Sequence, residues 1–510
     1  MKVLTAAQMR DVDRRTIEMG IPGLVLMENA GHRVVELLCE KFAPLAAHRI
    51  VVLCGKGNNG GDGMVVARQI FTRFQPRALH VVLLAAPEDL KGDAAQNYRM
   101  LHAVCGCPVA REIPAEARLA TIVVDALLGT GISGPAAGAM LDAIREINRG
   151  FPLAKVVAVD IPSGMPSDIG EPLGEQARAD CTVTFTAPKP AHVLAPNCDA
   201  VGELRVAAIG SPPAMYDGDD SIWLSLVEPA MFGQLLTPRP RAGHKGTFGH
   251  VLAIAGSHGK TGAAAMCGMA ALRSGAGLVT VASEESAIPV IAGHAAELMT
   301  EALSSGRLSA TVDKIAENKD VIAIGPGLGT DPETVALVRR AFADFAQPMV
   351  VDADALNALA GAPWSGAGKL RVLTPHPGEM ARLCGKTTAA VSADRLAAAR
   401  GLATERQVTV VLKGERTLIA FPDGRVWINP TGTPAMGTGG TGDILTGLIA
   451  GLLGQFPKEP GPAIAAAVYL HGLAGELGAA ALTEKCLVAT DLLRYLPAAL
   501  EECARHPHRL

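Results

Sequence analysis

Paired cysteines, aromatic residues, surplus charge and long apolar runs are all scarce in this 510-residue chain, and each scarcity removes a class of protein. The ten cysteines are scattered and none forms a CxxC pair; only Cys105 and Cys107 are close, across Gly106. A zinc ribbon or a thioredoxin-type site is therefore not indicated, and ordinary free thiols are expected. Three Trp, four Tyr and eleven Phe are too few for rows of base-stacking platforms. Lys and Arg number 46 against 50 Asp and Glu, a net charge of −4, so no broad basic face awaits phosphate and no nucleic-acid partner is expected. No unbroken run of about 18 apolar residues is recognised. Thr441–Phe456 is short and carries Asp443, while Arg10, Asp11, Asp13, Arg14 and Arg15 interrupt any apolar leader. A cytoplasmic protein with no membrane contact is the expectation.

Glycine, by contrast, is abundant, at 56 residues. It marks tight turns or places where backbone comes close to a ligand. At 510 residues the chain exceeds the roughly 250–300 that one hydrophobic core serves. Leu4–Glu40 reads as helix. Short apolar strands then alternate with helices: Arg49–Cys54, Ala78–Ala85, Thr121–Asp125 and Val156–Asp160, followed by a turn-rich, β-rich stretch over Ala179–Gly210. Pro- and Gly-rich breaks occupy Ser211–Asp220 and Leu236–Gly249. The alternation restarts with His250–Ala255, Leu278–Ala282, Asp320–Ile324, Met349–Asp352, Arg371–Thr374 and Val408–Lys413 as strands. Helices Gly262–Ser274, Thr441–Gly454 and Ile464–Ala480 are expected among them. This pattern predicts two α/β domains, 1–222 and 223–510, each built on a parallel sheet covered on both faces.

In the first half, Gly55, Gly57 and Gly60 fit GxGxxG between a strand and a helix. Such glycines admit a phosphate to a helix N-terminus. No acidic residue closes the next strand, however, so a hydride-transferring dinucleotide site is poorly supported. A structural turn and another phosphate ligand both stay open. Asp125 and Asp160 end two further strands, and each precedes a Gly-bearing loop. A lone strand-end Asp is most often a cap or turn former. Three such loops on one sheet converge on a single crevice, at the carboxyl ends where ligands bind. Asn59, Asp125 and Ser163 would offer oxygen to a hard cation.

Met27–Gly31, Gly57–Gly63, Asp125–Gly131 and Val159–Gly164 together resemble the NAD(P)HX epimerase domain, over roughly residues 1–220. The resemblance implies a Rossmann-like fold. It implies that hydrated NADH or NADPH is bound by Asn58, Asn59, Gly60, Gly61 and Asp62 and by Gly129, Thr130, Gly131, Ile132, Ser133, Gly134 and Pro135. It also implies Asp160 beside the reacting ring and a potassium ion on Asn59, Asp125 and Ser163. A strand-end carboxylate suits general acid–base work, which makes Asp160 the catalytic candidate.

In the second half, Thr438–Asp443 (TGGTGD) opens a helix. Successive N–H groups there form an anion hole, and Asp443 can take a proton from an attacking hydroxyl. The bland alternative is a glycine turn capped by Asp443. Lys413 with Gly414 and Thr417 suits nucleotide phosphates, or is a solvated strand end. His376 has no second His at ligand spacing and is not a metal candidate. Gly256–Thr261 (GSHGKT) imitates a P-loop but is two residues short.

With Gly243–Gly246, Ala271–Gly277, Gly325–Gly329, Asp352–Asn357, His376–Glu379, Leu412–Gly414 and Gly437–Asp443, this half resembles the ADP-dependent NAD(P)HX dehydratases. The resemblance implies a ribokinase-like fold, with substrate contacts at Ala263, Gly327, His376 and Asp443. Nucleotide contacts fall on Lys413, Gly414, Glu415, Arg416, Thr417 and Gly442. Some relatives carry Met-Pro where this chain has Lys260-Thr261. Both halves together imply a bifunctional enzyme, isomerase and lyase, that epimerises R- and S-NAD(P)HX. It dehydrates the S form with ADP as co-substrate and Mg2+ on its phosphates, releasing AMP and phosphate. A homo-oligomer is expected. The alternative is a ribokinase-like small-molecule kinase carrying a non-catalytic nucleotide-binding module.

Overall fold

Seven strands, each short and apolar, pair in parallel in the first half of the chain: β1 (Arg49–Cys54), β2 (Ala78–Leu83), β3 (Val109–Ala110), β4 (Ile122–Ala126), β5 (Lys155–Val159), β6 (Cys181–Phe185) and β7 (Glu203–Ala207). The computed structural model describes residues 1–105, 109–304 and 306–507; Gly106 and Cys107 lie outside the described residues. The chain separates into two compact units, Met1–Ile222 and Trp223–Leu510.

In the first unit the strand order is β3-β2-β1-β4-β5-β6-β7, so the order reverses between β1 and β4. Loops leaving those two strands diverge there and open a crevice at their carboxyl ends. β1 and β4 are almost wholly buried, as strands covered on both faces should be. The expected helix over Leu4–Glu40 is two helices, Ala6–Glu18 and Gly23–Phe42. Pro22 is the N-cap of the second, where its missing N–H costs nothing. The stretch expected to be β-rich contributes β6 and β7, with the short helix Pro190–Val193 between them.

The second unit has ten strands: β8 (Leu224–Leu226), β9 (His250–Ile254), β10 (Leu278–Glu284), β11 (Met299–Leu303), β12 (Val321–Ile324), β13 (Met349–Val351), β14 (Arg371–Leu373), β15 (Thr409–Leu412), β16 (Leu418–Ala420) and β17 (Val426–Ile428). They lie in the order β11-β10-β9-β12-β13-β14-β15-β16-β17-β8. All neighbours are parallel except β15 with β16 and β16 with β17. The reversal here falls between β9 and β12. β8, the first strand, closes the far edge by pairing with β17, the last.

Helix Pro460–Leu482 corrects the reading that no apolar stretch is long enough to span a bilayer. By length and composition it passes that test, but 78% of its apolar window is buried inside the unit. It is a core helix, with Ile464, Val468, Tyr469, Leu470 and Leu473 in the largest apolar cluster. Helix Thr441–Gln455 packs beside Thr261–Arg273 through glycine: a Cβ on Gly447 would lie 2.1 Å from the Cys267 carbonyl oxygen.

Candidate active sites

The crevice of the first unit is a cavity of about 620 Å3. Its wall includes Asn58, Asn59, Asp62, Gly129, Thr130, Gly131, Ile132 and Asp160, which the sequence assigned to one site. Gly60 and Gly61 stand behind that wall. A Cβ on Gly60 would meet the Gly55 carbonyl oxygen at 1.9 Å, and one on Gly61 would meet Met27 Sδ at 2.6 Å. Ser133, Gly134 and Pro135 are not among the lining residues. The GxGxxG glycines divide accordingly. Gly55 and Gly60 are demanded by chain packing, whereas Gly57 faces open space and leaves room for a ligand.

Asp160 follows β5 with φ of 63°, a left-handed conformation unusual for Asp, held by Asp160 N donating to Val183 O. Its Oδ1 accepts from Lys189 Nζ at 2.6 Å and from Thr184 Oγ1 at 3.0 Å. Lys189 is fully buried and also donates to Thr184 Oγ1 at 2.8 Å. Burial alone would raise the Asp160 pKa, but the Lys189 ammonium holds it below the ordinary value. The neighbouring carboxyls go the other way. Burial raises Asp62 well above its usual range, with Asp160 and Asp13 adding to the effect. Asp13, from the first helix, is pushed up to about 6 by burial and by Asp160, against Lys189. Neither Lys189 nor Asp13 was singled out from the sequence. Lys189 carried a usable signal, since it lies in the loop after β6, another carboxyl end of the same sheet. Asp13 carried none, because it reaches the crevice from a helix outside the strand–loop pattern.

Below this group lies an oxygen cluster. Asp125 is fully buried; its Oδ1 accepts from Ser163 Oγ at 2.5 Å and its Oδ2 from Ser163 N at 2.8 Å. Burial raises the Asp125 pKa, opposed by those Ser163 bonds. Asn59 is buried with neither Oδ1 nor Nδ2 partnered among the described residues, and it packs against Gly129, where a Cβ would come within 3.2 Å of Asn59 Cβ. A buried amide oxygen without a donor is costly unless something occupies it.

In the second unit the loops after β9, β12, β13, β14 and β15 supply the site. Asp352, following β13, is buried and binds Lys413 Nζ through Oδ1 at 2.7 Å and Thr446 Oγ1 through Oδ2 at 2.9 Å. Glu379 Oε2 stands 3.9 Å from the same ammonium. Burial opposes the Lys413 charge, yet Asp352 and Glu379 together raise its pKa. Lys413 is therefore no solvated strand end. One turn before Thr446 on helix Thr441–Gln455 sits Asp443, pushed up to about 6 by burial and by the Asp352 carboxylate, against Lys413. The helix starts at Gly440, whose φ of 96° turns the chain so that the next N–H groups are free. Thr441 Oγ1 ties the turn to Met436 O at 3.0 Å, and His471 Nε2 lies 2.9 Å from Thr441 O. Burial keeps His471 neutral, lowering its pKa to about 4. Gly442 lies under Lys413; a Cβ there would be 3.3 Å from Nζ.

Gly327, at φ of 62°, brings the loop after β12 onto the helix start after β9, where a Cβ would lie 3.0 Å from Ala263 Cβ. Lys260 pairs with Asp354 Oδ2 at 3.2 Å instead of standing free as a P-loop lysine would. His376 caps helix Pro377–Cys384, its Nδ1 accepting from Gly378 N at 3.0 Å, and its ring stays half-exposed. The loop of Lys413, Gly414, Glu415, Arg416 and Thr417 joins β15 to β16. Arg395 donates to its carbonyls at Leu412, Lys413 and Glu415. Arg395 escaped the sequence reading, since nothing local ties it to a loop some twenty residues on.

Comparison with known proteins adds an independent line. Residues 251–498 match the NAD(P)H-hydrate dehydratase family and residues 23–191 the YjeF-related protein N-terminus family. The chain is 44% identical to the bifunctional NAD(P)H-hydrate repair enzyme Nnr of Moorella thermoacetica, over 98% of this chain and 96% of that one. It is 36% identical to the enzyme of the same name in Escherichia coli K12, over 94% and 90%. Among solved structures, a ribokinase-like superfamily protein of Enterococcus faecalis V583 matches at 31% identity and a TM-score of 0.50, over 55% of this chain and 97% of its own.

Proposed function

The chain belongs to the bifunctional NAD(P)H-hydrate repair enzymes, and from that premise we propose that residues 1–222 are the epimerase and 223–510 the dehydratase. The observation that supports this division is that each unit gathers strand-end loops around its own buried Lys–Asp pair: Lys189 with Asp160, and Lys413 with Asp352.

In the first unit, Asn58, Asn59 and Asp62 with Gly129, Thr130, Gly131 and Ile132 bind the hydrated dinucleotide, and Asp160 moves the proton at its reacting ring. Potassium fits the oxygen cluster. Asn59 Oδ1 is an unpartnered buried acceptor, and Asp125 and Ser163 add hard oxygen donors without thiol or imidazole. When bound, the ion would supply fixed positive charge at that cluster.

In the second unit, Asp443 takes the proton of the C6 hydroxyl as its oxygen attacks the β-phosphorus of ADP, and AMP departs. The N–H groups at the Gly440–Gly442 turn hold the charge that builds on the transferred phosphoryl group. Electrons from the ring nitrogen then expel phosphate, a far better leaving group than hydroxide, leaving N1=C6; loss of a proton from C5 to solvent forms C5=C6 and returns the N1=C6 pair to nitrogen, which completes the reduced nicotinamide. Ala263, Gly327 and His376 position the hydrate, and Lys413–Thr417 with Gly442 hold the nucleotide. The groups acting on Asp443 include the Asp352 and Asp354 carboxylates, hard oxygen donors of the kind that would hold magnesium, which would offset phosphate charge there.

Incubating the full chain with mixed hydrate epimers and ADP, and separately ATP, tests this reading. Recovery of reduced-nicotinamide absorbance with stoichiometric free phosphate is expected. A stable phosphorylated product would make the second unit a small-molecule kinase instead, and no recovery with either nucleotide would overturn the assignment.

A further inference from the structure

We infer that Asp13, on the first helix, is the second proton-transfer group of the epimerase, working with Asp160 from a different element of the same cavity. The inference rests on the epimerase reading above. Moving the hydroxyl from one face of the ring to the other requires an acid where it leaves and a base where water returns. A single carboxyl on one wall cannot serve both faces.

Asp13 comes from a helix, Asp160 from the end of β5, and both line the same cavity. The charged groups that line the cavity with Asp13 are Arg10 on its own helix, Lys56 after β1, Asp62 on helix Asn58–Phe74, Asp93 on helix Gly92–Cys105, Asp160 and Lys189, of which Lys189 and Asp160 act on its carboxyl. Asp13 Oδ1 is buried and has no hydrogen-bond partner among the described residues, although Lys189 and Asp160 bond each other close by. A structural aspartate would be expected to cap or pair; this oxygen does neither. Asp62 lines the same cavity, but it is buried more deeply, and that burial raises its carboxyl well above the usual range, with Asp160 and Asp13 adding to the effect. Asp13, at about 6, can give a proton and take it back.

The step balances as follows. The Asp13 carboxylic acid gives its proton to the C6 oxygen. The C6–O bond breaks with its electron pair on oxygen, water leaves, and the ring-nitrogen lone pair forms N1=C6. A water on the opposite face donates an oxygen lone pair to C6, the N1=C6 pair returns to nitrogen, and the surplus proton passes to the Asp160 carboxylate. The reverse conversion exchanges the two roles, and one proton exchanged with solvent resets the pair.

The test uses the full chain carrying Asp13→Asn or Asp13→Glu, reading epimer exchange, ADP-dependent dehydration of the S epimer, NADPH binding and thermal unfolding. For Asp13→Asn, kcat for exchange should fall by about 100-fold or more with KM nearly unchanged. Dehydration should not change. Wild-type exchange should decline as pH rises above about 6, and Asp13→Glu should retain exchange with that limb displaced. Exchange within about threefold of wild type in Asp13→Asn would overturn the inference alone. So would loss of NADPH binding and thermal stability in both variants, since the role would then be structural. A wild-type chain that exchanges no epimers would overturn the epimerase reading as well.

Discussion

A buried ammonium that answers to more than one carboxylate sets the chemistry at the scale of the residue. Asp443 is the plainest instance. As a base it must be ionised, and its pKa stands near 6, so dehydration is expected above that pH and lost as pH falls through it. A kcat/KM profile of S-epimer dehydration checks the limb, and Asp443→Asn should cost about 100-fold or more at neutral pH. Lys189 is fully buried beside Asp160, so Lys189→Met leaves a carboxylate without its counter-charge. A stability loss of roughly 3–5 kcal/mol is expected from chemical denaturation of the first unit. Asn59 carries the potassium reading: exchange should be faster in potassium than in tetramethylammonium salts, and Asn59→Ala should erase the difference. The strand-end members of these sites, Asp160, Asp125 and Lys413, were legible because a parallel sheet places its carboxyl-end loops together, and Asp443 because a glycine-rich run opens its helix. Asp13, Lys189 and Arg395 were not, since each arrives by tertiary packing and a sequence does not record which distant charges share a cavity.

Elements were read well wherever burial on both faces left a short apolar run, as in β1, β4, β9 and β12. They were read poorly where one residue redirected the chain, as at Pro22, whereas the helix expected over Ile464–Ala480 is present as Pro460–Leu482. Glycine decides how closely helices Thr261–Arg273 and Thr441–Gln455 approach. Gly447 and Gly451 lie one turn apart on the second of these, and a Cβ on Gly451 would sit 2.0 Å from Ser274 Oγ. Gly447→Ala would drive the helices apart against a carbonyl that cannot yield. We expect a loss of about 1–3 kcal/mol by thermal unfolding of the second unit. Dehydration should weaken with it, because the displaced helix is the one that presents Asp443.

For the whole molecule, two units with separate sheets and separate Lys–Asp pairs should carry separable activities. Asp160→Asn should abolish epimerisation alone and Asp443→Asn dehydration alone. Mixed in equal amounts with ADP and the R hydrate, the two variants should recover reduced nicotinamide that neither yields by itself, provided the S epimer is released into solution between steps. The pairing of β8 with β17 bears on how such a chain is made. Leu224–Leu226 opens the second unit, yet its only strand neighbour among the described residues, Val426–Ile428, is translated some two hundred residues later. The ribosome can thus deliver the whole first unit while the edge of the second waits unpaired, a non-local closure that slows folding. A nascent chain halted before residue 426 would display that strand to proteases and chaperones, and synthesis stalled in this window is where quality control should intercept the protein.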